Sequence, residues 1–161
     1  MLFYDTVTLD LGGNNLSGTI RDVFSRFSSL EMLDVSANDF SGSIPESLFE
    51  LPNIRTLHFF NNRLDGTIPM MYGNAQRLES LLLFGNMLTG TVPDIEPGEL
   101  PSLNEFLMHQ NRLVGSMPPS VCELRVPTLG QLNELWADCS EAAMPMIMRC
   151  DQPLCCTMCF P

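Results

Sequence analysis

The stretch Leu57–Pro69, LHFFNNRLDGTIP, decides how the rest of the chain is read. It holds Leu57 and Phe59 at alternate positions, then Asn62, Leu64, Gly66, Ile68 and Pro69. The same frame stands at Leu33, Val35, Asn38, Phe40, Gly42, Ile44 and Pro45, and again at Leu81, Leu83, Asn86, Leu88, Gly90, Val92 and Pro93. An earlier copy runs Leu9, Leu11, Asn14, Leu16, Gly18, Ile20, with Arg21 in place of proline. A later one runs Phe106, Met108, Asn111, Leu113, Gly115, Met117, Pro118. Self-similarity at a fixed period sets the architecture before any local assignment, and a period of this size predicts a solenoid.

Each copy follows one logic. Leucines at alternate positions place their side chains on one face of a short strand and the residues between them on the other. The recurring asparagines, Asn14, Asn38, Asn62, Asn86 and Asn111, form a predicted structural ladder, because a buried amide offers two donors and an acceptor to tie turn backbone to the next copy. Glycine permits a tight backbone path, and proline fixes φ and ends the segment. Strands from successive copies must then be parallel, with return arms crossing on one side. The predicted organisation is a partial repeat at 1–8, five repeats over 9–131, and a degraded last repeat with a Cys-rich cap over 132–161.

The frame LxxLxLxxNxLxGxIP resembles the plant-type leucine-rich repeat over roughly residues 6 to 135, best in LEMLDVSANDFSGSIP and IRTLHFFNNRLDGTIP. That resemblance implies an α/β-type solenoid: a right-handed superhelix with a parallel concave sheet and short or irregular convex arms. Family members are mostly receptor ectodomains, co-receptors and extracellular inhibitor or adhesion modules. The Cys-bearing N-terminal cap usual there is missing, no signal peptide is visible, and Met1 leads almost directly into a repeat, so a truncated N-terminus is expected. The tail, LWADC followed by CCTMCF, resembles the terminal cap of leucine-rich repeat proteins from diatoms and related algae.

Composition narrows the function. The net charge is -11, the eight basic residues are all Arg, and no basic footprint for nucleic acid exists. No apolar run approaches the roughly 20 residues of a membrane span. A secreted or cell-surface location is expected, and a full-length form could carry an anchor. All six cysteines, Cys122, Cys139, Cys150, Cys155, Cys156 and Cys159, lie in the last third. They fit either three disulfides of unknown pairing in a terminal cap, the favoured reading, or a zinc site using the CxxC at Cys156 and Cys159. Neither a resident metal nor another cofactor is expected.

The residues between the strand leucines should face the concave surface. One column runs Asp10, Asp34, His58, Leu82, Leu107, Trp136; the next runs Gly12, Ser36, Phe60, Phe84, His109, Asp138. The early rows are acidic and small, the later ones apolar and aromatic. Nothing in the fold requires Phe60 and Phe84 to face outward, and a contiguous apolar patch marks an interaction site. His58, Phe60, Leu82, Phe84, Leu107, His109 and Trp136 are therefore the predicted contacts for a protein or peptide ligand. The two histidines read as surface or rim residues, since strands two repeats apart are about 10 Å apart, too far to share a metal. No catalytic constellation is apparent, so an enzyme is not expected. Alternatives are an extracellular inhibitor of a wall-degrading enzyme and, from the column Thr19, Ser43, Thr67, Thr91, Ser116, an ice-binding protein. Asn15-Leu16-Ser17 is a glycosylation sequon.

Overall fold

The structure, a computed structural model, describes residues 5–126, 130–138, 155–156 and the backbone of 158–160. Cys139, Cys150 and the side chain of Cys159 lie outside the described residues. The strands are β1 (Thr8–Asp10), β2 (Ser17–Thr19), β3 (Met32–Asp34), β4 (Asp39–Gly42), β5 (Thr56–His58) and β6 (Arg63–Leu64). They continue as β7 (Ser80–Leu82), β8 (Thr89–Gly90), β9 (Glu105–Leu107), β10 (Arg112–Leu113), β11 (Glu134–Asp138) and β12 (Met158–Phe160). One sheet carries the order β1-β3-β5-β7-β9-β11-β12, and every pairing in it is parallel. On the return path, β2, β4 and β6 form a second ladder and β8 and β10 a third.

The register places like on like. Leu9 pairs with Leu33, Leu33 with Leu57, Leu57 with Leu81, Leu81 with Phe106, and Phe106 with Leu135. From Leu33 onward each of these is fully buried. Leu64 and Leu88, Ile44 and Ile68, and Leu48 and Tyr72 extend the same core across the coil. Return arms are single turns of 3-10 helix at Phe24–Arg26, Glu46–Glu50 and Met70–Asn74, and a short α-helix, α1 (Pro119–Glu123). The arm over 94–103, with Pro97 and Pro101, holds no helix, as expected where proline removes donors.

The asparagines stitch coil to coil. Asn62 Nδ2 donates to Val35 O of the preceding coil at 3.0 Å and to Phe59 O at 3.1 Å, while its Oδ1 accepts from the Phe40 N–H at 3.0 Å. Asn38, Asn86 and Asn111 repeat this pattern one coil apart. Asn14 reaches Leu11 O and Gly12 O in its own coil.

The two ends differ. In the first coil Leu9, Leu11 and Ile20 are half-buried, and Val7, Leu16 and Val23 are exposed. At the other end β12 adds a seventh strand beside β11, with Trp136 opposite Met158. Cys155 is disulfide-bonded to Cys122 of α1, and Arg125 Nη1 donates to Cys155 O at 2.8 Å. Cys156 is also disulfide-bonded. Disulfides thus hold both members of the Cys155-Cys156 pair, which removes Cys156 as a thiolate ligand for zinc. The tail continues the sheet, which goes beyond the expected cap.

Candidate binding face

Strand alternation turns the side chains of Leu57, Leu81 and Phe106 inward and leaves the flanking positions facing out. The in-register ladder repeats these outward positions about every 4.8 Å. That spacing suits aromatic rings. Phe60 and Phe84 stack with centroids 4.7 Å apart and planes 8° apart, and Phe84 and His109 stack at 4.8 Å and 6°. His58 tilts against Phe60 at 6.0 Å, and Trp136 tilts against His109 at 5.5 Å. Five rings from four successive coils thus form one continuous row. Leu82 and Leu107 lie beside it, paired in register with His58 and Trp136 respectively.

The rings bury one another. Phe60, Phe84 and Trp136 are half-buried, so the row presents ring edges more than ring faces. Each aromatic contact contributes about 0.5–1.5 kcal/mol beyond its area. His109 departs from the rim position read from its sequence: it is only 6% exposed. Phe84 and Trp136 close on it from both sides, and burial holds its pKa below the ordinary value, with the Asp138 carboxylate pulling the other way.

A polar chain runs alongside. Asp34 Oδ2 lies 3.4 Å from His58 Nδ1, His58 Nε2 lies 3.2 Å from Ser80 Oγ, and the Ser80 hydroxyl donates to Glu105 at 2.8 Å. Burial alone would raise the Asp34 pKa, but hydrogen bonds from Ser36 and the nearby His58 outweigh it and hold it below the usual value. Asp34, His58 and Ser80 follow the order of an acid–base–nucleophile relay. Their geometry does not complete one. The Ser80 hydroxyl donates to Glu105 instead of to the imidazole, and the Ser80 N–H is engaged by Arg55 O. The chain orients His58 on the face.

Ser80, Glu105 and Glu134 belong to a further outward column, the residue before each inward side chain, outside the columns read from the sequence. Plain period-two alternation carries the signal for it. Asp138 ties β11 to the turn of the coil before it, where its carboxylate accepts from the Gln110 N–H at 2.7 Å and the Asn111 N–H at 2.9 Å. One coil earlier the equivalent donors, Gly85 and Asn86, bond backbone carbonyls.

Five outward-turning residues at the strand exits, Gly13, Ala37, Asn61, Gly85 and Gln110, have φ between 50° and 67°. This left-handed step turns the chain off the face. Asn15 of the sequon is exposed, as are Thr19, Ser43, Thr67, Thr91 and Ser116. Among the described residues no group of three or more metal-ligating side chains converges, and no helix is long and apolar enough to cross a membrane.

Comparison with known proteins agrees with this geometry. Residues 6–64 match the leucine rich repeat family model. No curated protein gives a significant sequence match. Among solved structures, the BIR2 ectodomain from Arabidopsis thaliana is similar at 36% identity and a TM-score of 0.66, over 71% of this chain and 59% of that one. The ectodomain of the Arabidopsis receptor kinase HAESA, in complex with an N-terminally extended IDA peptide hormone, is similar at 35% and 0.66, over 70% of this chain and 19% of that one. A plant ice-binding protein is similar at 26% and 0.69, over 83% of this chain and 41% of that one. The chain therefore spans less than two thirds of the length of each.

Proposed function

We propose that this chain, which belongs to the leucine-rich repeat family, recognises an extended protein segment or peptide on its concave sheet face, outside the cell and without catalysis. The carrying observation is the row His58, Phe60, Phe84, His109, Trp136, with Leu82 and Leu107 beside it. An aromatic row with a polar border matches the anatomy of interfaces, where a few large rings dominate affinity. Solved relatives include a receptor ectodomain holding a peptide hormone. Disulfides at Cys122, Cys155 and Cys156 suit an oxidising compartment.

The test uses peptides selected on the immobilised protein from a random display library. The double variant Phe60→Ala/Phe84→Ala should bind them on the order of a hundredfold more weakly or worse, while its melting transition stays cooperative. Leu82→Gln, outside the ring row, gives a milder second reading of the same face. Unchanged affinity in both variants overturns the proposal.

A second reading has its own support. The exposed Thr19, Ser43, Thr67, Thr91 and Ser116 repeat once per coil, and a plant ice-binding protein shares the fold. Thermal hysteresis that disappears in Thr67→Tyr would favour it; none at high protein concentration removes it.

A further inference from the structure

The concave face changes character along its length. The phenyl rings begin at Phe60; one and two coils earlier the same column holds Ser36 and Gly12, too short to cover a ring. Asp34 and Asp10 stand in the adjacent column, paired in register. A Cβ placed on Gly12 would lie 3.1 Å from Asp34 Oδ1 and 3.3 Å from Asp10 Oδ1. Two carboxylates therefore lean over the one position of these columns that has no side chain, two coils before the ring row begins.

The rest of the face has the same sign. Its three outward columns hold Asp10, Asp34, Glu105, Glu134 and Asp138, and neither Arg nor Lys. Asp10 accepts from the Gly12 N–H at 2.9 Å, Glu105 from the Ser80 hydroxyl, and Glu134 from the Trp136 indole at 2.6 Å. Such neutral donors position a carboxylate without cancelling its charge. In a chain of net charge -11, the aromatic row is bordered by negative potential. That border repels acidic segments and attracts basic ones, setting specificity and association rate.

We infer that the segment recognised on this face is basic: an extended peptide whose apolar side chains follow the ring edges and whose Arg or Lys reaches the Phe60 end, between Asp10 and Asp34. Arginine suits the place best, since a planar guanidinium can lie on a ring face while its N–H fork engages carboxylates. This rests on the concave-face proposal above and names the chemistry of its occupant.

The same display selection tests it separately. The selected peptides should be enriched in Arg and Lys over the naive library. Their affinity should fall at least tenfold between about 0.05 and about 0.5 M salt. Asp10→Asn/Asp34→Asn, which keeps the acceptors for Gly12 and Ser36, should weaken binding on the order of tenfold, whereas Asp65→Asn, on an exposed turn, should not. Neutral or acidic peptides that still depend on Phe60 and Phe84 would overturn the basic partner and leave the concave-face site standing. Peptides indifferent to Phe60 and Phe84, or no enrichment at all, would overturn both.

Discussion

The first coil and the last are built from the same frame yet are finished in different ways. Leu9, Leu11 and Ile20 are half-buried at the β1 end, where, among the described residues, β3 is the one strand alongside. Leu135 and Ala137, which occupy the frame positions of Leu9 and Leu11 in β11, are fully buried. There β12 covers the strand, a disulfide ties Cys155, just ahead of β12, to α1, and Asp138 takes two backbone N–H groups. In a solenoid each coil draws stability from its neighbours, so a coil with one neighbour has about half the interface of a coil with two. The difference between the ends is therefore energetic as well as geometric.

The largest effect should come from breaking the middle of the spine. Leu81 is fully buried between Leu57 and Phe106. Leu81→Ala should cost about 3–5 kcal/mol, the range for a cavity that cannot collapse. Leu9→Ala, at the half-buried end, should cost about 1–2 kcal/mol, since less apolar surface is lost. Urea denaturation of both variants checks this. Equal costs would mean that the first coil is packed as fully as the fourth, and the contrast between the ends would fail.

Opening the stapled end comes next. The Cys122–Cys155 bond closes 33 residues of chain. Removing it in Cys122→Ala/Cys155→Ala should cost about 3–4 kcal/mol by loop entropy. Native-state hydrogen exchange should show protection lost first around β11. A uniform loss of protection along the sheet would show that the bond stabilises the whole solenoid as one unit.

Much of this architecture could be read from spacing because its cause is local and periodic. A parallel ladder of period-two strands makes Leu33, Leu57 and Leu81 equivalent, and a simple alignment of copies finds them. The ring row was partly legible for the same reason, since Phe60 and Phe84 occupy one column. The burial of His109 was not, because it depends on the rotamers of Phe84 and Trp136 closing on it. The chain Asp34–His58–Ser80–Glu105 crosses two columns and four coils, and it arises from side-chain reach that no single frame records. The pairing of β12 with β11 was also hidden. Its strand carries no copy of the frame, and the disulfide just ahead of it joins residues 33 positions apart.

The smallest expected effect separates the two halves of the face by pH. Burial lowers the His109 pKa from its ordinary 6.5, so the folded chain keeps the ring neutral where the unfolded chain would take up a proton. Its contribution to stability is complete above 6.5 and is lost as pH falls through the lowered folded value. The Asp34 pKa lies below 3.8 in the folded chain, so its contribution is complete above 3.8 and is lost only as pH falls further. The aromatic half should therefore weaken at mildly acidic pH, before the acidic half does. Melting temperature followed downward from about pH 7 should drop for the wild type below about 6.5 and stay flatter for His109→Phe, which keeps the stack without a titrating ring. Asp34→Asn should leave that window unchanged and flatten the loss below 3.8. If wild type and His109→Phe ran parallel through the upper window, the ring between Phe84 and Trp136 would be open to protonation in the folded chain, and the row would be looser than its stacked geometry.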